Sequence, residues 1–176
     1  METPEEDPIK SDIAKIEEAH QLGNAAYSAF AMGNFKYALE IITKSVKTWD
    51  LCQSRILQSQ ILDAMSNFDD ALIIAQVALD LAQTSEHTPD IYAANWHFAN
   101  CLSRLGRIRE VEPYALIGAM CAIPQVAASS NVLLGARMET YGEFQKALSY
   151  YQKAKNLDPT HRTVQLRIND MLGKLN

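Results

Sequence analysis

Four short turns recur along this chain, and the segments between them read as paired helices. The turns are Gly33-Asn34-Phe35, Ser66-Asn67-Phe68, Gly106-Arg107-Ile108 and Gly142-Glu143-Phe144, and their first residues stand 33, 40 and 36 positions apart. A small residue suits each reversal, because glycine enters positive φ without steric cost. The aromatic residue or isoleucine two places later starts a second helix that packs back on the first. After it, small residues recur at helical spacing. Phe68, Ala71, Ala75, Ala78 and Ala82 form the clearest ladder, with Leu72 and Leu79 beside them. Small side chains let neighbouring helix backbones approach closely. A unit of this length cannot bury its apolar face alone, so the units must stack.

The best-formed unit runs from Asn131 to Pro159. It carries Leu134-Gly135, Met138, Gly142, Phe144, Ala147, Tyr151, Ala154 and a closing Asp158-Pro159. This pattern resembles one tetratricopeptide repeat. Measured against it, the first repeat is clear in its second helix through Phe35, Ala38, Leu39, Ile42, Val46 and Trp49, and the second repeat follows without a gap. The third begins after the linker 84–89 and contains Ala99, Leu102, Leu105, Gly106 and Ile108. Its Pro113 falls where the second helix should already be under way. Proline is tolerated in a first turn and costly inside a helix, which predicts a delayed start near Glu112 and an irregular repeat.

The resemblance implies an all-α fold, a right-handed superhelical stack of antiparallel helix pairs with about nine helices. The expected organisation is a flexible N-terminus over 1–10 and one domain over 11–176. Within it, the repeats lie at about 19–51, 52–84, 90–124 and 125–160, followed by a capping helix over 161–175. The capping helix shows a stripe of Val164, Ile168, Met171, Leu172 and Leu175, leaving Arg162, Arg167, Asp170 and Lys174 to face water. At the other end, Ser11 is placed to cap a helix from Asp12 to Met32. This is longer than a first helix of the family needs. Its extra turns, with Ile13 and Ile16, read either as a cap over the first repeat or as an arm for a partner or a second copy.

Charge and motifs restrict the function. The net charge of -5 over 176 residues argues against broad nucleic-acid binding, which depends on neutralising phosphates. The acidic start has no apolar segment of the signal-peptide kind. The longest apolar run, 71–75, falls far short of the roughly 20 residues a membrane helix needs. Cys52, Cys101 and Cys121 are widely spaced, which suits reduced thiols in a helical interior and a cytosolic or nuclear protein. No phosphate-binding loop, zinc helix or nucleophile elbow is present. His20, His87, His97 and His161 are scattered, and each reads as a surface or groove residue rather than a ligand. No metal, cofactor or catalytic residue is expected. Asp69 and Asp70 open a helix, where carboxylates suit the dipole. Arg104, Arg107 and Arg109 surround the third turn, either solvated or ready to receive an acidic or phosphorylated segment.

In proteins of the resembling family, the first helices of successive repeats line a concave groove that holds an extended peptide or a helix. That geometry points to Tyr27 and Phe30 in the first repeat and to Ile56, Gln60 and Asp63 in the second. It points to Trp96, Asn100 and Arg104 in the third, and to Val132 and Glu139 in the fourth. The residues just before Ile56, Trp96 and Val132 are polar (Arg55, Asn95 and Asn131) where the family usually has a bulky apolar residue. Those three apolar side chains therefore belong either to the groove or to the core of slightly rotated helices. The clamp for acidic chaperone C-termini is not expected, because Gly23 and Tyr27 occupy the places of its first-helix Lys and Asn. The implied function is a non-enzymatic adaptor or chaperone-like module for a protein or peptide partner. The alternative is a structural subunit that self-associates, or joins a larger complex, through its end helices or convex face.

Overall fold

The computed structural model describes residues 8–85 and 87–176. Among them are nine α-helices and no strand. They divide into two compact units, one ending at Leu81 and the other beginning at Ala82. The first unit contains α1 (Pro8–Ala31), α2 (Phe35–Thr48), α3 (Cys52–Ala64) and most of α4 (Phe68–Ser85). The second contains α5 (Thr88–Arg104), α6 (Val111–Gly118), α7 (Pro124–Thr140), α8 (Phe144–Leu157) and α9 (Val164–Leu175).

All four predicted turns use the same device. Gly33, Ser66, Gly106 and Gly142 have φ of 79°, 65°, 73° and 74°. At each, the amide of the turn residue donates to the carbonyl three positions back, and the next amide donates to the one five back. Gly33 to Phe30 with Asn34 to Ala29 is one pair, and Gly142 to Glu139 with Glu143 to Met138 is another. These are Schellman closures, which satisfy the last carbonyls of the first helix. Ser66 alone reaches this conformation with a side chain, at a cost of about 1–2 kcal/mol. Ser66→Gly is therefore expected to raise unfolding stability by about 0.5–1 kcal/mol, after glycine's greater entropy loss is counted. An unchanged or lower urea midpoint would refute this.

In the first unit the core gathers Ala26, Ala38, Ile41, Ile42, Leu57 and Ile61 from α1, α2 and α3. Ile42 and Ile61 are wholly buried, each contributing about 2–3 kcal/mol. Serine hydroxyls tie adjacent helices together. Ser45 Oγ donates to the Ala19 carbonyl at 2.8 Å, and Ser59 Oγ donates to the Ala71 carbonyl at 2.6 Å. The α4 alanines Ala71, Ala75, Ala78 and Ala82 are all buried, as the ladder predicts.

The second unit explains its irregular repeat. A 3₁₀ turn over Ile108–Glu110 precedes α6, and Pro113 falls in the helix's first turn. Pro113 has no N–H to donate to the Arg109 carbonyl, so the α-helical pattern starts late. The helix ends at Gly118, and Ile123, just before Pro124, is extended. The second core is built from Ala128, Met138, Ala147, Leu148, Tyr151, Val164 and Met171.

Two expectations at the chain's start are corrected. Ser11 lies inside α1 and does not cap it, since Pro8 fits a helix's first turn and the helix already includes it. Of the lead expected to be flexible, Pro8, Ile9 and Lys10 are helical, and residues 1–7 lie outside the described residues.

Candidate partner-binding surface

The residues assigned to the groove differ widely in exposure. In the first unit, Tyr27 projects from α1 with 61% of its surface exposed, and Gln60 and Asp63 on α3 are half-buried. Phe30 is half-buried against the core, its ring 5.7 Å from that of Phe35. Ile56 is buried and belongs to the core. Arg55 beside it forms a two-pronged ion pair with Asp50, at 2.7 and 2.6 Å, and donates to Gln58. Its polar head turns outward while Ile56 turns in.

In the second unit, Trp96 and Asn100 on α5 are half-buried and Arg104 is exposed. The Trp96 backbone packs over Gly118, where an added β-carbon would come within 3.0 Å of Trp96 Cβ. Val132 packs against the core cluster of α8 and α9. Asn95 and Asn131 are buried, and each donates to the carbonyl four residues back, Ile91 and Ala127, at 2.8 Å. An amide that satisfies itself on its own helix can replace a bulky apolar residue at low cost. The two polar substitutions are tolerated for that reason.

Glu139, assigned to the groove, is instead the anchor of α9. Its carboxylate accepts from Lys174 Nζ at 2.8 Å and from the Tyr151 hydroxyl at 3.0 Å, with Arg167 at 3.5 Å. Lys174 and Arg167 therefore do not simply face water. The α9 stripe is also narrower than expected: Val164 and Met171 are wholly buried, while Leu172 and Leu175 remain exposed. Desolvation works to raise the Glu139 pKa. Hydrogen bonds from Lys174 and Tyr151 and the charge of Arg167 outweigh it and hold the carboxyl below the usual glutamate value. Burial, followed by the Glu139 carboxylate, pushes the Tyr151 hydroxyl well above its ordinary value.

A depressed folded-state pKa contributes stability above the unfolded value of 4.5 and loses it as pH falls through the folded value. Hydrogen exchange in α9 is thus expected to accelerate relative to α7 below about pH 4.5, and Glu139→Gln should abolish that pH dependence. Equal pH profiles in the wild type and the variant would rule this out.

The remaining polar candidates are accounted for by structure. Arg107 is paired with Glu110 at 2.7 and 2.6 Å, which leaves less of the arginine cluster to receive an acidic segment. His97 is 1% exposed, a correction to its expected surface or groove position, and its Nε2 lies 3.6 Å from Cys101 Sγ. Cys52, Cys101 and Cys121 are buried thiols. Among the described residues no group of three or more His, Cys, Asp or Glu could hold a metal ion. No described helix is long and apolar enough to cross a membrane.

Reading only the first helices missed apolar surface on the second ones. Clefts of about 300 Å³ and 540 Å³ lie beside α4 and α6, the first walled by Leu39, Ile73 and Ile74, the second by Leu116, Met120 and Leu157. The signal was present in the sequence, because no charged residue occurs from 113 to 136.

No protein-family model matches the chain, and no curated protein matches it. Solved structures do. MamA 41-end from Desulfovibrio magneticus RS-1 superposes with a TM-score of 0.68 at 17% identity, covering 88% of this chain and 83% of that one. BtubC from P. vanneervenii gives a TM-score of 0.71 at 14% identity, covering 99% of this chain and 85% of that one. YrrB, a TPR protein described as having an unusual peptide-binding site, gives 0.64 at 18% identity over 84% of this chain and 72% of that one. At such identities the likeness shows the fold alone, and together with the four Schellman turns it identifies that fold as a TPR-like array of helix pairs.

Proposed function

We propose that this protein is a non-enzymatic scaffold that holds a partner peptide or helix on the faces of its first helices. The observation that carries this reading is Tyr27, a tyrosine 61% exposed near the C-terminal end of the first helix. Large aromatic side chains with a polar tip are typical anchors, and leaving one in water costs free energy unless something covers it. Gln60 and Asp63 on α3, and Trp96, Asn100 and Arg104 on α5, supply further aromatic and polar contacts in their own units. The described peptide-binding site of YrrB supports the same use of this fold. Ile56, Phe30 and Glu139 are left out of the contact set because the fold itself occupies them.

The test is affinity capture with the whole chain, comparing wild type with Tyr27→Ala and Trp96→Ala. Each substitution is expected to lower recovery of a specific partner about tenfold, the loss of one interface anchor, with helical content unchanged. Equal recovery by all three proteins would sink the reading. The second reading, a self-associating subunit, is favoured by Ile9 and Ile13, which α1 leaves exposed.

A further inference from the structure

Helix α1 begins well before its first buried residue. Its buried residues are Ala19, Ala26 and Ala29, so its first three turns have none. Ile9 and Ile13 are 68% and 51% exposed, and Ile16 is half-covered. Spaced i, i+4 and i+7, the three isoleucines form one apolar stripe. Residues 1–18 contain seven carboxylates and two lysines, so the stripe belongs to an acidic segment.

The cleft between α6 and α8 has the opposite character. Its apolar walls include Leu116 and Met120, 46% and 70% exposed, together with Leu157. Asn156 and Lys153 are the polar groups on the α8 side. Of the α8 lysines, Lys153 lines the cleft, while Lys146 is paired with Glu143 at the helix's other end and Lys155 donates to the Pro159 carbonyl. An apolar cleft of about 540 Å³ with a lysine at its rim has room for a few aliphatic side chains delivered by an acidic helix.

We propose that this cleft receives the first three turns of α1 from a second copy of the chain. Apolar stripe meets apolar wall, and the acidic arm meets Lys153. Each copy offers one arm and one cleft, so the contact is heterologous and one copy can follow another in an open series. It uses second helices and the start of α1. Its failure would therefore leave the reading of the first-helix faces standing.

Sedimentation of the full chain over a wide concentration range tests the contact. Wild type should associate as concentration rises. Ile13→Lys on the arm, and separately Met120→Glu on the cleft, should weaken association at least about tenfold by placing a repelling charge against an apolar or like-charged surface. Lys153→Glu should weaken it as well. All three positions touch solvent, so circular dichroism should show the helical content unchanged. A mixture of Ile13→Lys and Met120→Glu retains one intact arm and one intact cleft, and should restore association to at least a 1:1 complex. A wild type that stays monomeric, as it would if α1 docked within its own chain or onto a different protein, overturns the proposal. So does association that none of the substitutions weakens, or a mixture that forms no 1:1 complex.

Discussion

Tyr151→Ala is expected to lower unfolding stability by about 3–5 kcal/mol, the range for emptying a large aromatic site in a packed core. Tyr151 heads the wholly buried side chains of this protein by size. Its ring sits among Ala147, Leu148, Ala154 and Met171, and its hydroxyl reaches out to Glu139. Removing it creates a cavity that α7, α8 and α9 all border. The same change deprives the Glu139 carboxylate of a donor, leaving Lys174 and Arg167 to hold it. Tyr151→Phe separates the two effects: packing survives, one hydrogen bond to a charged acceptor is lost, and a drop of about 1.5 kcal/mol is expected. Urea denaturation gives the totals. Hydrogen exchange gives their location, because in a repeat array stability is largely a sum of local and nearest-neighbour terms. Protection should fall in α7, α8 and α9 and stay near wild type in α1 and α2. A loss below about 1 kcal/mol for Tyr151→Ala would contradict the packing described.

The four turns were legible because each rests on a local rule. A residue at positive φ, an apolar residue two places later and alanines at helical spacing all lie within one short window. Pro113 was legible for the same reason: a missing N–H acts on its own turn. The placement of Glu139 was not. Its partners, Tyr151, Arg167 and Lys174, come from two other helices, and nothing near position 139 announces them. The choice between core and groove for Ile56 and Val132 needed helix rotation, which depends on how Arg55 and Asn131 satisfy their polar groups. Arg55 does so on Asp50 and Gln58, and Asn131 does so on its own helix. The bareness of α6 was visible as an uncharged stretch. Reading it as exposed surface required knowing that the helix is short, from Val111 to Gly118, and that Leu116 and Met120 are left uncovered.

Gly135→Val is expected to cost about 3 kcal/mol, the upper end of what overpacking usually costs. A β-carbon built on Gly135 would stand 2.6 Å from Tyr151 Cε1 and 2.9 Å from Cδ1. Real β-carbons do not come that close, and Tyr151 has no solvent to swing into, so α7 and α8 must separate. Gly135→Ala meets the same ring but gains about 1 kcal/mol of helix propensity in the middle of α7. Its expected loss is accordingly smaller, about 1–2 kcal/mol. Valine adds two methyl groups and a poorer helix preference to the same clash. The ordering of wild type above alanine above valine therefore reports the helix separation directly. Pairing each change with Tyr151→Ala gives the decisive measurement. If the ring is what glycine accommodates, Gly135→Ala should become neutral or stabilising once the ring is gone. The interaction energy in that cycle should be at least about 1 kcal/mol. Additive losses would mean that Gly135 is required for some other reason, and the close crossing of α7 and α8 would lose its explanation.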